Sequence, residues 1–229
     1  MSAAATTGIA TSRIALRNRR TGCNAHDIAK RALDLIVATV LLALLSPLIF
    51  ALLAGMTIDM VVARQDRGPF LYRETRISLG REFGLLKFRT LRADVLAEMR
   101  ACGGHARLYE AESGNLTWSG KHLLKPWYLD ELPQLLNVLR GEMSLVGPRP
   151  WPPHMVRQQL SEGLDYRNRT RAGLTGPAQV TKGDGIRYED LDLEYAGLSS
   201  LSGWALVRYD LQILWRTLGV MRRGEGLNY

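Results

Sequence analysis

The sequence predicts an α+β fold: a compact domain of mixed helices and short strands, led by a kinked, re-entrant membrane helix and carrying interfacial amphipathic helices. Three observations predict it. Residues 35–58 form an uncharged run of 24 residues with Ser46-Pro47 at its centre. Residues 59–229 mix short strand-like runs with helical-period segments and Gly/Pro punctuation. The net charge is +8, and most of the excess falls in residues 1–31, directly before the apolar run.

Residues 1–24 are small, polar and basic, without apolar periodicity, and predict a flexible tail. Over residues 1–31, Arg13, Arg17, Arg19, Arg20, Lys30 and Arg31 stand against a single acid, Asp27. A nucleic-acid-binding fold would spread its excess over a folded face. Here the excess sits beside the most hydrophobic segment, which points to anionic membrane lipids and away from nucleic acid. Cys23 and Cys102 form no CxxC pair, in keeping with a reducing compartment.

Residues 25–60 form the membrane-inserted segment. As straight helix, 35–58 reaches roughly 36 Å against about 30 Å of hydrocarbon. Proline removes a backbone hydrogen bond and clashes with the preceding turn, so Pro47 predicts a kink, and Ser46 is placed to bond a freed carbonyl. Basic residues flank both ends: Arg19, Arg20, Lys30 and Arg31 before, Arg64, Arg67, Arg73 and Arg76 after. The positive-inside bias holds both flanks in the cytosol, which a bent hairpin satisfies and a single crossing does not. An ordinary span that tolerates its proline is the alternative.

Residues 61–229 are long enough for a core of their own. Strands are expected over Phe70–Ile77 and Phe83–Phe88, a helix over 91–101, and loop over 102–122. Leu132, Leu135, Leu136 and Leu139 follow helical spacing, and Arg140-Gly141 suits a helix end. Gly147-Pro148-Arg149-Pro150 and Pro152-Pro153 make a rigid non-helical stretch. Helices follow over 153–163 and 187–197. In the last, 203–221, Trp204, Val207, Leu211, Leu214, Trp215 and Leu218 share one side, with Arg208, Arg216, Arg222 and Arg223 around it. Such a helix suits a membrane interface or a core.

Four segments carry candidate chemistry. In Leu129-Asp130-Glu131-Leu132-Pro133-Gln134, two carboxylates precede a leucine-faced helix whose positive end favours their ionised forms. Adjacent residues do not share a helix face, so one carboxylate can attack while the other holds a metal. A capping acid followed by an acidic turn is the plainer alternative. In Lys87-Phe88-Arg89-Thr90, residues two apart share a strand face and Lys87 and Arg89 suit an anion. In GEMSLVGPRP, glycine and prolines fix the backbone around Arg149 and aim one guanidinium at low entropic cost. Gly173-Leu174-Thr175-Gly176-Pro177-Ala178-Gln179 is a glycine-spaced loop that admits close backbone approach. His26, His105, His122 and His154 lack metal-ligand spacing, and there is no P-loop or GxSxG.

Taken in order, these blocks resemble the bacterial sugar transferase family, the small monotopic phosphoglycosyl transferases. They are the apolar run with Ser46-Pro47, Tyr72-Arg73 through Arg76, KFRT, LDELPQL, Asn137-Val138-Leu139, GEMSLVGPRP and GLTGPAQV. The resemblance covers roughly 27–225 and looks like the minimal form of the family. It implies transfer of a sugar 1-phosphate from a UDP-sugar to undecaprenyl (polyprenyl) phosphate with release of UMP, the first membrane step of exopolysaccharide, capsule, O-antigen or glycoconjugate assembly. By the same resemblance, Asp130 attacks the sugar-linked phosphorus and forms an aspartyl-phosphosugar. Mg²⁺ is the implied cofactor, with Asp130 and Glu131 as its implied ligands. Lys87, Arg89, Lys125 and Arg149 match cationic positions that contact phosphate, and Ser46-Pro47 matches the membrane bend. Lys125-Pro126-Trp127-Tyr128 stands where the family has Arg followed by Thr-Ser, which keeps the charge and loses the bidentate fork. The implied place is the cytosolic face of the bacterial inner membrane. A degenerate, membrane-tethered scaffold is the rival; sugar, pathway and homodimer formation stay open.

Overall fold

The computed structural model describes residues 25–102, 104, 106–181, 187–201 and 203–222. The expected tail 1–24 and His105 lie outside them. Helix α1 runs Ala25–Val62, 38 residues and about 57 Å. Pro47 lies inside it, and the Ser46 hydroxyl donates to the Ala43 carbonyl at 2.8 Å. Ala43 is the residue whose carbonyl Pro47, lacking an N–H, cannot bond. The hydroxyl therefore supplies a donor where the ring removed one.

One face of α1 packs on the rest of the chain and the other is bare. Ala38 joins Leu135, Val138, Met143 and Leu145 in one core cluster. Leu52 and Met56 join Phe88 and Leu124 in another. Ile36, Val40, Leu44, Phe50, Ile58, Val61 and Val62 are exposed. Buried polar contacts pin both ends. Asp34 accepts the Ser144 hydroxyl and the Leu145 N–H, each at 3.0 Å. Asp59 accepts the Ser119 N–H at 2.8 Å.

Two residues of the expected basic membrane flank are corrected. Lys30 donates to the Val146 carbonyl (3.2 Å) and the Tyr195 hydroxyl (3.0 Å) and pairs with Asp210. Arg31 donates to the Val138 and Leu139 carbonyls at 2.6 and 2.8 Å. Their charges anchor α1 inside the domain instead of facing lipid.

Strands β1 (Leu71–Ser78) and β2 (Arg81–Phe88) form an antiparallel hairpin close to the expected bounds. Its two central turn residues, Leu79 and Gly80, have φ of 52° and 70°, the signature of a type I′ turn. The turn sets Tyr72 opposite Lys87 and Glu74 opposite Leu85. Tyr72, Glu74, Arg76 and Lys87 therefore share one face. The stretch expected as loop is partly helical: α2 (Ala93–Ala101) is followed by α3 (Ala106–Glu110), a short 3₁₀ turn at Ser113–Asn115 and a π-type turn at Gly120–Leu124.

Helix α4 (Gln134–Arg140) begins after Pro133 and ends on Gly141 at φ 81°. Its Asn137 side chain accepts the Leu86 N–H and donates to the Gly84 carbonyl, both at 2.9 Å. It thereby stands in for a third strand beside β2. Strands β3 (Ser144–Val146) and β4 (Gly173–Thr175) pair in parallel. Helices α5 (Pro153–Ser161), α6 (Tyr166–Arg169), α7 (Pro177–Val180), α8 (Tyr188–Leu201) and α9 (Gly203–Arg222) complete the order. In α9, Leu206, Asp210, Ile213 and Val220 face inward, while Trp204, Leu211, Trp215 and Leu218 are exposed.

Candidate active site

The two carboxylates of the LDELPQL block sit on a single 3₁₀ turn, Leu129–Glu131, entered through Tyr128 at φ 55°. A tyrosine in the left-handed region is costly. What holds it there is packing: Leu129 and Leu132, on either side of the dyad, lie against the cluster of Leu52, Met56, Phe88 and Leu124. The turn sends the two acids to different environments. Asp130 is buried, 3% exposed. Glu131 lines a cleft with Arg76, Leu85, Lys87, Gln134, Arg149, Pro150, Gly173 and Leu174.

Burial pushes the Asp130 carboxyl up to about 6; Lys125 and Lys87 oppose the shift, and Glu131 and Glu110 add to it. Lys125 Nζ lies 3.9 Å from Asp130 Oδ2 and 2.7 Å from Glu110 Oε2. Burial lowers the Lys125 ammonium, but Asp130, Glu110 and Glu131 outweigh it and hold it above its usual value. Thr90 Oγ1 donates to Glu110 Oε1 at 2.7 Å, so the carboxylate that steers Lys125 is itself held. Arg149 donates to Glu131 Oε1 at 3.3 Å. On the hairpin face, Glu74 pairs with Arg76, lies 3.7 Å from Lys87 and accepts the Tyr72 hydroxyl at 2.8 Å. Burial first, then Glu74 and Glu110, push the Tyr72 phenol well above its ordinary value, which keeps it neutral.

Three of the four expected cations, Lys87, Lys125 and Arg149, therefore gather at the dyad. Arg89 does not join them. Strand β2 ends at Phe88, and the buried Arg89 guanidinium donates to the Pro69 carbonyl (2.9 Å), the Leu91 carbonyl (2.7 Å) and the Asp66 carbonyl (2.5 Å). It braces the loops around the strand end, which corrects its expected phosphate role. Sequence reading also passed over Arg76, Glu74, Glu110 and Gln134 as site residues. For the first two a signal existed: a Ser78–Arg81 turn with two central residues fixes the register that puts them beside Lys87. Glu110 carried none, because its segment read as loop.

The back of the cleft is built by backbone contact. A Cβ on Gly173 would lie 2.1 Å from the Gly147 nitrogen, and one on Gly147 would lie 2.4 Å from the Arg171 carbonyl. The spaced glycines thus let the GPRP and GLTG segments touch main chain to main chain, with the Gly173 N–H on the Pro148 carbonyl at 2.9 Å. That contact places Arg149 opposite Glu131.

The model of the family described as bacterial sugar transferase matches residues 25–224, which includes α1, the dyad and the cleft. The chain belongs to the bacterial sugar transferase family. Among relatives, it is 37% identical over 203 residues to a UDP-glucose:undecaprenyl-phosphate glucose-1-phosphate transferase of Caulobacter vibrioides, covering 85% of this chain and 70% of that one. An undecaprenyl-phosphate glucose phosphotransferase of Komagataeibacter xylinus is 35% identical over 205 residues, 83% of this chain and 35% of its own. Exopolysaccharide production protein ExoY of Sinorhizobium fredii is 34% identical over 217 residues, covering 87% and 88%. The chain thus spans nearly all of some relatives and about a third of others. As a sugar transferase it must hold a phosphorylated sugar against a nucleophile. The cleft carries one carboxylate, Glu131, and cations from three separate segments, Arg76, Lys87 and Arg149, and the buried Asp130 is the residue before Glu131.

Proposed function

We propose that this sugar transferase moves a sugar 1-phosphate from a UDP-sugar to undecaprenyl phosphate, releasing UMP, with Asp130 as nucleophile. The observation that carries this is the buried Asp130, with Lys125 3.9 Å away, next to Glu131 in a cleft where Arg76, Lys87 and Arg149 converge. Asp130 Oδ attacks the sugar-linked phosphorus. The bond to the UMP oxygen breaks, UMP leaves, and an aspartyl-phosphosugar remains. An oxygen of the lipid phosphate then attacks the same phosphorus and returns the Asp130 carboxylate. A carboxylate is a weak nucleophile toward a charged diphosphate unless that charge is neutralised. Each of these cations rests against a carboxylate, Glu74, Glu110 or Glu131, and is thus held ready for phosphate oxygens.

The donor set fits Mg²⁺ in one form. Among the described residues no group of three or more His, Cys, Asp or Glu is placed to hold a metal. Mg²⁺ characteristically takes one or two carboxylates plus substrate phosphates and water. Asp130 and Glu131 are the carboxylates that would hold it, and bound there it would neutralise diphosphate charge.

The reading extends to the membrane, where α1 enters one leaflet and does not cross. Asp34 and Asp59, about 37 Å apart along α1, are both hydrogen-bonded into the same domain. A crossing would part them across about 30 Å of hydrocarbon. The proposed site is the cytosolic face of the bacterial inner membrane.

The test is UMP release by the full chain in lipid nanodiscs, over a UDP-sugar panel with undecaprenyl phosphate, with and without chelation of Mg²⁺. Release with one sugar that chelation stops supports the reading, and no release with any sugar favours the scaffold. Cysteine labelling of both α1 flanks in cells checks the topology. A periplasmic flank overturns the one-leaflet insertion.

A further inference from the structure

We infer that Arg167, held by Asp192 and Gln159, is a positioning residue that aims Arg149 into the cleft; this rests on Arg149 contacting the donor's diphosphate. Arg167 is on α6, its side chain 7% exposed, and Asp192 on α8 is 3% exposed. The three nitrogens of its guanidinium go three ways. Nε donates to Gln159 Oε1 at 2.9 Å and Nη2 to Asp192 Oδ2 at 3.0 Å. Nη1 donates to the main-chain carbonyl of Arg149 itself. The plane also lies over the Trp151 ring, 4.1 Å from its centroid.

The chemistry of the GPRP segment explains why that carbonyl matters. Pro148 and Pro150 each have a fixed φ, and a residue before proline is confined to extended conformations. The freedom left in the segment is the limited rotation about Arg149 within that extended region, since Arg149 itself precedes Pro150. Fixing its carbonyl fixes that rotation, and with it the direction of the side chain that meets Glu131. On the far side, the Trp151 carbonyl accepts the Ile77 N–H at 3.0 Å. The segment is therefore gripped from the hairpin and from α6 together. A planar fork reaches a carboxylate, an amide and a carbonyl from three separate nitrogens in fixed directions, whereas a lysine's three donors share one nitrogen and do not span those positions.

The test is a double-mutant cycle on the KM for the nucleotide sugar, read by UMP release from the full chain in nanodiscs. Arg149→Ala, Arg167→Lys and Asp192→Asn are each expected to raise KM about tenfold, with kcat changed less. Arg167→Lys added to Arg149→Ala is expected to change KM no further, because the aimed group is already gone. Arg169→Gln, which breaks an exposed ion pair on the same helix, is expected to leave KM unchanged. Multiplying effects in the double variant overturn the inference, as does an unchanged KM in both Arg167→Lys and Asp192→Asn when Arg149→Ala raises it. An unchanged KM in Arg149→Ala overturns the phosphate role of Arg149 instead. If Arg167→Lys does not fold, Gln159→Met removes the Nε tether alone, and an unchanged KM there counts against the inference in the same way.

Discussion

Replacing Asp130 by asparagine is expected to stabilise the protein while abolishing turnover. Burial holds this carboxyl at about 6 against an ordinary 3.8, and the difference is worth about 3 kcal/mol. The folded protein binds that proton more tightly than the unfolded chain does. Asp130 therefore contributes stability that is fully present below pH 3.8, is lost as pH rises through about 6, and stays lost at neutrality. The asparagine amide is neutral throughout and does not incur the loss. For a chain of this length each kcal/mol moves Tm by about 2–4 °C, so the metal-free variant at pH 7.5 is expected up to roughly 6–12 °C above the parent. The gap is expected to narrow as pH falls toward 5. The assay is thermal unfolding in nanodiscs with chelator, across pH 5 to 7.5, alongside UMP release. An Asp130→Asn variant no more stable than the parent at pH 7.5, or a gap independent of pH, refutes the claim that burial destabilises the charged carboxylate. Retained UMP release refutes the nucleophile.

Two further substitutions separate anchoring from catalysis. Lys30→Met leaves Asp210 buried without its cation and is expected to cost about 3–5 kcal/mol. Lys30→Met with Asp210→Leu is expected to recover part of that, both read by thermal unfolding. Arg89→Lys replaces three separate nitrogens, each on its own carbonyl, by one that does not span them, and is expected to lose about 1–3 kcal/mol with the donor KM unchanged in the folded fraction. A raised KM there would return Arg89 to the phosphate site.

Features decided within a few residues were legible in the sequence. Gly141 closes α4, Pro133 precedes it, and Ser46 bonds the carbonyl that Pro47 strands, because each depends on backbone chemistry at that spot. The fate of a cation is decided elsewhere. Lys87 and Arg89 stand two residues apart in one motif, yet one faces the cleft and the other is consumed by loop carbonyls. The difference is where β2 ends, which depends on what the loops at Asp66 and Pro69 fold against. Lys30 and Arg31 read as membrane flank because Asp210 and Val138, their partners, lie more than a hundred residues away.

Helix α9 shows the same limit in periodicity, and the outcome supports the membrane reading. A 20-residue helix can carry two apolar stripes, and spacing alone does not say which one packs. The stripe of Trp204, Leu211, Trp215 and Leu218 stays exposed, and the stripe of Leu206, Ile213 and Val220 goes inside with Asp210. The inner stripe is chosen by a polar group: Asp210 must reach Lys30 and the Tyr195 hydroxyl, the latter at 2.9 Å, since a buried carboxylate without partners costs several kcal/mol. Turning α9 to hide its tryptophans would strand that carboxylate and both its partners. The bare stripe is therefore a consequence of the anchor. Soluble monomers rarely leave large contiguous apolar patches to water, and α1 leaves a second bare face. Tryptophan with arginine nearby is the composition that rests at a lipid interface. The ion pair that locks α1 to the domain is thus the same one that keeps the tryptophans of α9 turned outward.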